Sequence, residues 1–292
     1  MLRKSLITSG LPREHSEIAF VRHQAGVTLV ELMVGITIGM LIVAVAMGAV
    51  IVSRGATTTV SEAAQLQQQA SYAFRVLGQQ IRQAGSLELN LDVETGQGTS
   101  ASLSPNTKVA FQVGYNQWSQ IINGIDAPNA TEFALSVGHQ NYAERLTGAS
   151  APGSLFRDCL GEGGGATSSG GANFPRIISR FALRGNELVC SGVGGQPQAI
   201  IQDVADFQVR YYVQAGAASG TPTIQRALAS EVTNWADVIA VEVCLDMVGS
   251  RPVDVPAASR YMNCQNTQVN YGNRLHQVYR NVFQLRSQGV LG

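Results

Sequence analysis

Charge is thin in this chain. Asp, Glu, Lys and Arg make up 14% of its 292 residues, and the formal net charge is zero. No strong basic field is available for a polyanion, so electrostatics give no ground for nucleic acid as a main partner. Histidine is scarcer still: beyond residue 26 there are only His139 and His276. Neither has a companion ligand at helical or hairpin spacing, and both are read as surface or structural residues. The four cysteines, Cys159, Cys190, Cys244 and Cys264, form no CxxC and no Cys/His ligand pattern, which argues against a zinc site. GxSxG, HExxH and paired-carboxylate signatures are missing. The glycine-rich GEGGGATSSGG (residues 161–171) has no Lys-Ser/Thr ending and no strand-to-helix context, so it reads as a surface loop and not a phosphate cradle. Asp203 and Asp206 flank a strand start and read as turn residues. Nothing in the chain argues for catalysis, a metal or a cofactor.

What is present is polar but uncharged. Gly alone contributes 31 residues, and Ser, Thr, Asn and Gln are abundant, a composition typical of exported proteins. Against that background stands one long apolar run, residues 27–52. As a helix it extends about 39 Å at 1.5 Å per residue, enough to cross a hydrocarbon core of about 30 Å with some tilt. The apolar region of a cleavable secretory signal is roughly 7–15 residues, and the small-residue triplet Ala44-Val45-Ala46 lies inside the run and not after it. Arg3, Lys4, Arg13 and Arg22 precede the run and Arg54 follows it, which predicts a cytoplasmic amino terminus and an exported carboxy-terminal portion.

One charge interrupts the run. Glu31 sits near its cytoplasmic end, where a carboxylate costs less than the roughly 2.5–3.5 kcal/mol typical of a charge at a membrane helix centre. One reading is a side chain that snorkels to the headgroups. A sharper one uses Gly26. If the chain is cut after Gly26, Val27 becomes a free amino terminus, and Glu31, the fifth residue, lies one turn from a positive charge on its own or a neighbouring chain. An ion pair in an apolar bundle fixes register, because an unpaired partner is strongly penalised.

The stretch Gly26-Val27-Thr28-Leu29-Val30-Glu31-Leu32 resembles the class III signal of type IV prepilins and pseudopilins. The resemblance implies that a prepilin peptidase cuts between Gly26 and Val27 and methylates Val27, and that Glu31 serves assembly. Val27 stands where Phe or Met is more usual, and the 26-residue leader is longer than many. VRHQAG, just before the cut, is itself a short basic leader, which leaves both Met1 and Val21 open as the translation start.

Beyond the run, Ala63, Leu66, Ala70, Ala73, Phe74, Leu77, Ile81 and Ala84 recur at steps of three and four, and Gly85 is a stop signal. The spacing predicts one helix of nearly 60 residues, half in the membrane and half packed on an outer domain. Residues 87–105 read as a surface connection. The period then changes to two, predicting strands at 108–115, 131–137, 176–184, 187–191, 206–213 and 237–248. Arg184-Gly185-Asn186-Glu187 marks a hairpin. Residues 274–287 fit strand or helix. The expected fold is α+β: a long amino-terminal helix packed on a mainly antiparallel β domain. Its parts are a leader (1–26), a membrane and assembly helix (27–52), an amphipathic continuation (53–85) and an outer β-rich domain (86–292).

QQIRQAGS (residues 79–86) at the helix end, the strand at 206–213, the Trp-led strand from Trp235 and the RLHQVYRNVFQLR segment together resemble the PilW family of minor pilins. That resemblance implies a non-enzymatic subunit of the inner membrane that assembles with other minor pilins and the major pilin on an inner-membrane platform, priming the type IV pilus and contributing to its tip. A J-type minor pseudopilin of a type II secretion system is the alternative, and a membrane-tethered periplasmic enzyme or sensor a more distant one. Export to an oxidising compartment predicts disulfides. Of three possible pairings, Cys159 with Cys190 and Cys244 with Cys264 is favoured, since each closes a turn-rich loop between candidate strands.

Overall fold

The computed structural model describes residues 26–86, 89–90, 110–111, 117–141, 156–163, 176–215, 220–253, 255–256 and 258–286. The expected leader up to residue 25, most of the connection at 87–105, all but two residues of the strand at 108–115, and residues 164–171 of the glycine-rich run lie outside them. The chain divides into two compact units, Met1–Gly55 and Ala56–Gly292. A single helix, α1 (Leu29–Gln83, 55 residues), belongs partly to each.

In the first unit α1 is apolar all round. Its most hydrophobic 18-residue window has a mean hydropathy of 2.5, and none of it is buried. Leu29 is 73% exposed and Ile51 72%. With no proline to break the backbone ladder, the helix runs on into the amphipathic sequence. There the expected stripe is the buried face: Leu66, Ala70, Ala73, Leu77, Ile81 and Ala84 are all inaccessible. Each buried Leu or Ile contributes about 1.5–3 kcal/mol relative to exposure. Gly78 sits in this face because the Phe283 ring lies against it; a Cβ there would fall 2.5 Å from that ring. The helix ends at Gly85, which adopts φ +74° and donates its amide to the Gly138 carbonyl at 2.8 Å.

The rest of the second unit is antiparallel β structure. β1 (Leu89–Asn90) pairs with β2 (Ala110–Phe111). A five-stranded meander follows in chain order: β3 (Ile122–Gly124), β4 (Leu135–Gln140), β5 (Arg176–Arg184), β6 (Glu187–Ser191) and β7 (Pro197–Ile201). Next come β8 (Val204–Ala215), β9 (Thr223–Ala227), β10 (Val238–Pro252), a small hairpin of β11 (Arg260–Met262) and β12 (Gln268–Asn270), and β13 (Arg274–Gln284). The second large sheet has the order β13-β10-β8-β9. Period-two alternation aims Phe181 of β5, Val209 and Tyr211 of β8, and Val243 and Leu245 of β10 into one core with the α1 stripe. A helix on antiparallel sheets is the α+β class expected.

Several expectations need adjusting. The strand expected at 131–137 begins at Leu135, because Asn129 Oδ1 accepts the amides of Thr131 (2.9 Å) and Glu132 (3.2 Å) and holds that stretch in a turn. Asp203 is a turn residue with φ +61°, but Asp206 lies inside β8 and accepts hydrogen bonds from Gln208 and Gln265. The ambiguous carboxy-terminal segment is a strand, β13, in continuous register with β10 from Ala240↔Gln284 to Val248↔His276.

Candidate functional site at the start of the long helix

Gly26, Val27 and Thr28 precede α1 without regular structure. The space around Gly26 is open, with no atom within 4 Å of where a Cβ would stand, and Val27 is 71% exposed. The bond between them is sterically accessible. Glu31 lies in the first turn, and its carboxylate is locally engaged. Glu31 Oε2 accepts the Thr28 amide at 3.3 Å and the Thr28 hydroxyl at 3.2 Å, while Thr28 Oγ1 accepts the Glu31 amide at 3.2 Å. This is a reciprocal capping box, and an acidic group in a first turn also complements the helix dipole. The cap satisfies two amides that would otherwise be orphaned in an apolar medium. Thr28 was missed as a functional residue, although Thr-x-x-Glu ahead of an apolar run is a readable signal.

The cysteines belong to the second unit and form two bonds, Cys159 to Cys190 and Cys244 to Cys264, with Cα separations of 6.4 Å and 5.7 Å. These close the loops singled out above. Beside the first, Asp158 organises the turn: Oδ1 accepts the amides of Leu160 (2.9 Å) and Glu162 (2.8 Å), and Oδ2 accepts that of Val193 (2.7 Å). Beside the second, the connection between β10 and β13 folds over the outer face of the four-stranded sheet. Tyr261 donates to Asp246 Oδ2 at 2.7 Å, and His276 Nδ1 lies 3.0 Å from Asp246 Oδ1 and 2.9 Å from the Tyr261 hydroxyl. A carboxylate only accepts, so Nδ1 carries the proton that faces it. Burial and the Asp246 bond push the Tyr261 phenol up. His276 is thus a structural clasp.

Further along the same face, Arg226 grips Glu242 in two bonds of 2.6 and 2.9 Å, and Tyr212 donates to it at 3.0 Å. The Arg226 bond, aided by Tyr212 and Arg280, holds the Glu242 carboxyl below the usual range against the opposing effect of burial. His139, on β4, is buried against Phe156 with ring centroids 5.6 Å apart; burial pushes its imidazole down to about 4 although the Asp158 charge opposes this. None of these clusters pairs a nucleophile with a base. Their hydrogen bonds join strands and loops.

The family model described as type IV pilus-assembly protein W, PilW, matches residues 168–287, and that of the prokaryotic N-terminal methylation motif matches residues 21–47. The chain thus has a stretch similar to PilW behind a stretch similar to the prepilin methylation motif. The PilW match takes in β5 to β13, and the methylation motif takes in Gly26, Val27 and Glu31. The likeness to PilW points to a structural pilus component and not an enzyme, and the methylation motif points to dealings with the pilus machinery and its peptidase. No curated protein matches the chain. Among solved structures, the type IV-like pilin TTHA1219 from Thermus thermophilus aligns at 10% identity and a TM-score of 0.35, covering 77% of this chain and 98% of that one.

Proposed function

We propose that this protein is a minor pilin that primes type IV pilus assembly and contributes to the pilus tip. Residues 1–26 are a leader, 27–52 a single inner-membrane span with its amino terminus in the cytoplasm, 53–85 the continuation of that helix, and 86–292 the periplasmic domain. Prepilin peptidase cuts between Gly26 and Val27 and methylates Val27. The processed chain then leaves the lipid and joins other minor pilins and the major pilin on the inner-membrane assembly platform, where Glu31 meets a charged amino terminus. The reading is carried by one observation: an entirely exposed apolar run of α1, beginning at the open bond after Gly26 and bearing a single acidic group, continuous with a helix whose next turns are docked on a β domain. Such a run needs lipid or other helices around it. The PilW match favours the pilus over type II secretion.

The test is the mature terminus. Mass spectrometry of the membrane-extracted protein is expected to find methylated Val27 first, and Gly26→Val is expected to retain the leader. An intact leader on the wild-type chain, in cells with active prepilin peptidase, would overturn the reading.

A further inference from the structure

β5 presents arginine at every fourth residue on the face turned away from the core: Arg176, Arg180 and Arg184. Arg184 is occupied, since it donates to the Glu132 carbonyl and lies 5.5 Å over the Phe133 ring. Arg180 is different. It is half-buried, between Ser136 of β4 and Ser191 of β6 in register, and its side chain makes no hydrogen bond, ion pair or ring contact among the described residues. It opens into a groove of about 360 Å³ whose walls include Ser119, Asn123, Ile125, Phe133 and Ile178. Three acidic side chains of this region are engaged elsewhere. Glu132 accepts the Asn129 amide, Glu187 accepts from Gln202, and Asp126 accepts the amides of Ala229 and Ser230.

A partly covered guanidinium without a protein partner has all its donors available to an incoming acceptor. We propose that this groove is a docking site for an Asp or Glu side chain carried on a segment of a neighbouring pilus subunit, an inference that rests on the assembly reading above. The chemistry selects that occupant. One open, planar, five-donor cation matches one carboxylate in a bidentate pair. The hydroxyls of Ser119 and Ser136 and the side chains of Ile125, Phe133 and Ile178 suit the flanking atoms of a polypeptide. A nucleic acid strand needs several cations along its phosphates, whereas among the described residues the groove is lined by two arginines, Arg176 and Arg180, and Arg176 is engaged.

The test uses the full-length chain in piliated cells, with a photo-crosslinking p-benzoylphenylalanine in place of Ile125, which is 40% exposed at the groove wall. The expected product is a peptide of another pilus-assembly subunit containing Asp or Glu. Its yield is expected to fall at least tenfold in Arg180→Glu and to return when the partner carboxylate is changed to Lys. Arg180→Gln, which keeps the shape without the charge, should show the same loss at an unchanged thermal midpoint, separating docking from folding. A yield indifferent to Arg180→Glu overturns the proposal, as does an adduct to lipid, glycan, nucleic acid or a second copy of this chain, or no adduct at all. Terminal sequencing of the same samples separates the two readings. An unprocessed chain defeats the pilin assignment, whereas a processed, fibre-associated chain without the adduct defeats only the groove.

Discussion

His139 makes the outer unit sensitive to mild acid in a calculable way. The residue is 1% exposed and Nε2 is buried without a hydrogen-bond partner among the described residues, so protonation places a cation where little can solvate it. Burial sets the folded value at about 4, against 6.5 in the unfolded chain. Between those values the unfolded chain binds the proton and the folded chain does not, so stability falls as pH drops through 6.5 and stops falling below about 4. At 1.36 kcal/mol per pH unit the whole interval is worth about 3 kcal/mol, of which about 2 is lost between pH 7 and pH 5. His139→Leu removes the titrating group and the orphaned nitrogen together. Urea unfolding of the detergent-solubilised full chain, followed by tryptophan fluorescence at pH 7, 6 and 5, measures both proteins. The wild type is expected to lose about 2 kcal/mol more than the variant over that range. Parallel curves would show that the imidazole is protonated at no cost, and the account of its burial would be wrong.

Other expected outcomes separate roles within the molecule. Glu31→Ala should leave a processed, membrane-resident protein with an unchanged outer unit that no longer co-sediments with sheared pili, since breaking a buried ion pair costs about 3–5 kcal/mol; Glu31→Asp should be intermediate. Thr28→Ala removes the helix cap, about 1 kcal/mol, but keeps the carboxylate, so pilus entry should survive; failure of both variants alike would make Glu31 a capping residue only. Cys159→Ser with Cys190→Ser reopens a loop of 31 residues and should cost roughly 3–4 kcal/mol in chemical denaturation under non-reducing conditions. Gly192→Ala drives a methyl into the Asp158 carboxylate and should lower the unfolding free energy by about 1–3 kcal/mol, read as a lower thermal midpoint.

The helix was legible because its two halves repeat two plain patterns: unbroken apolarity, then apolar residues at steps of three and four ending in a glycine. β5 and β6 were legible as two short apolar runs either side of Arg184-Gly185-Asn186-Glu187, where the φ of +60° at Gly185 suits the hairpin. β7 and β9 were not foreseen. Both are sheet edges and largely exposed, so Pro197–Ile201 and Thr223–Ala227 carry no buried face for a periodicity to mark. β10 shows the opposite difficulty. Glu242, Cys244 and Asp246 alternate as an exposed face should, yet they are buried, because the excursion through Tyr261 and Cys264 covers Cys244 and Asp246 while Arg226, Tyr212 and Arg280 close over Glu242. No local pattern announces a cover supplied by residues further along the chain. At the helix start, Gly26, Val27 and Glu31 were readable as a motif, whereas the cap formed by Thr28 needed side-chain geometry to be noticed.

The ring of Phe283, seated against Gly78 and 6.2 Å from Phe74, ties the carboxy-terminal strand to the amphipathic part of α1. A polypeptide is made from its amino terminus, so that part of the helix emerges long before the strand that covers it. Throughout synthesis Leu77 and its buried neighbours therefore wait without their final cover, and only the arrival of β13 closes the core. The 11 residues of β13 act as the keystone of the outer unit. A stop codon that spares Gly26, Glu31 and both disulfides but removes β13 leaves α1 with a sticky flank, and such a truncated chain is a substrate for chaperones and proteases.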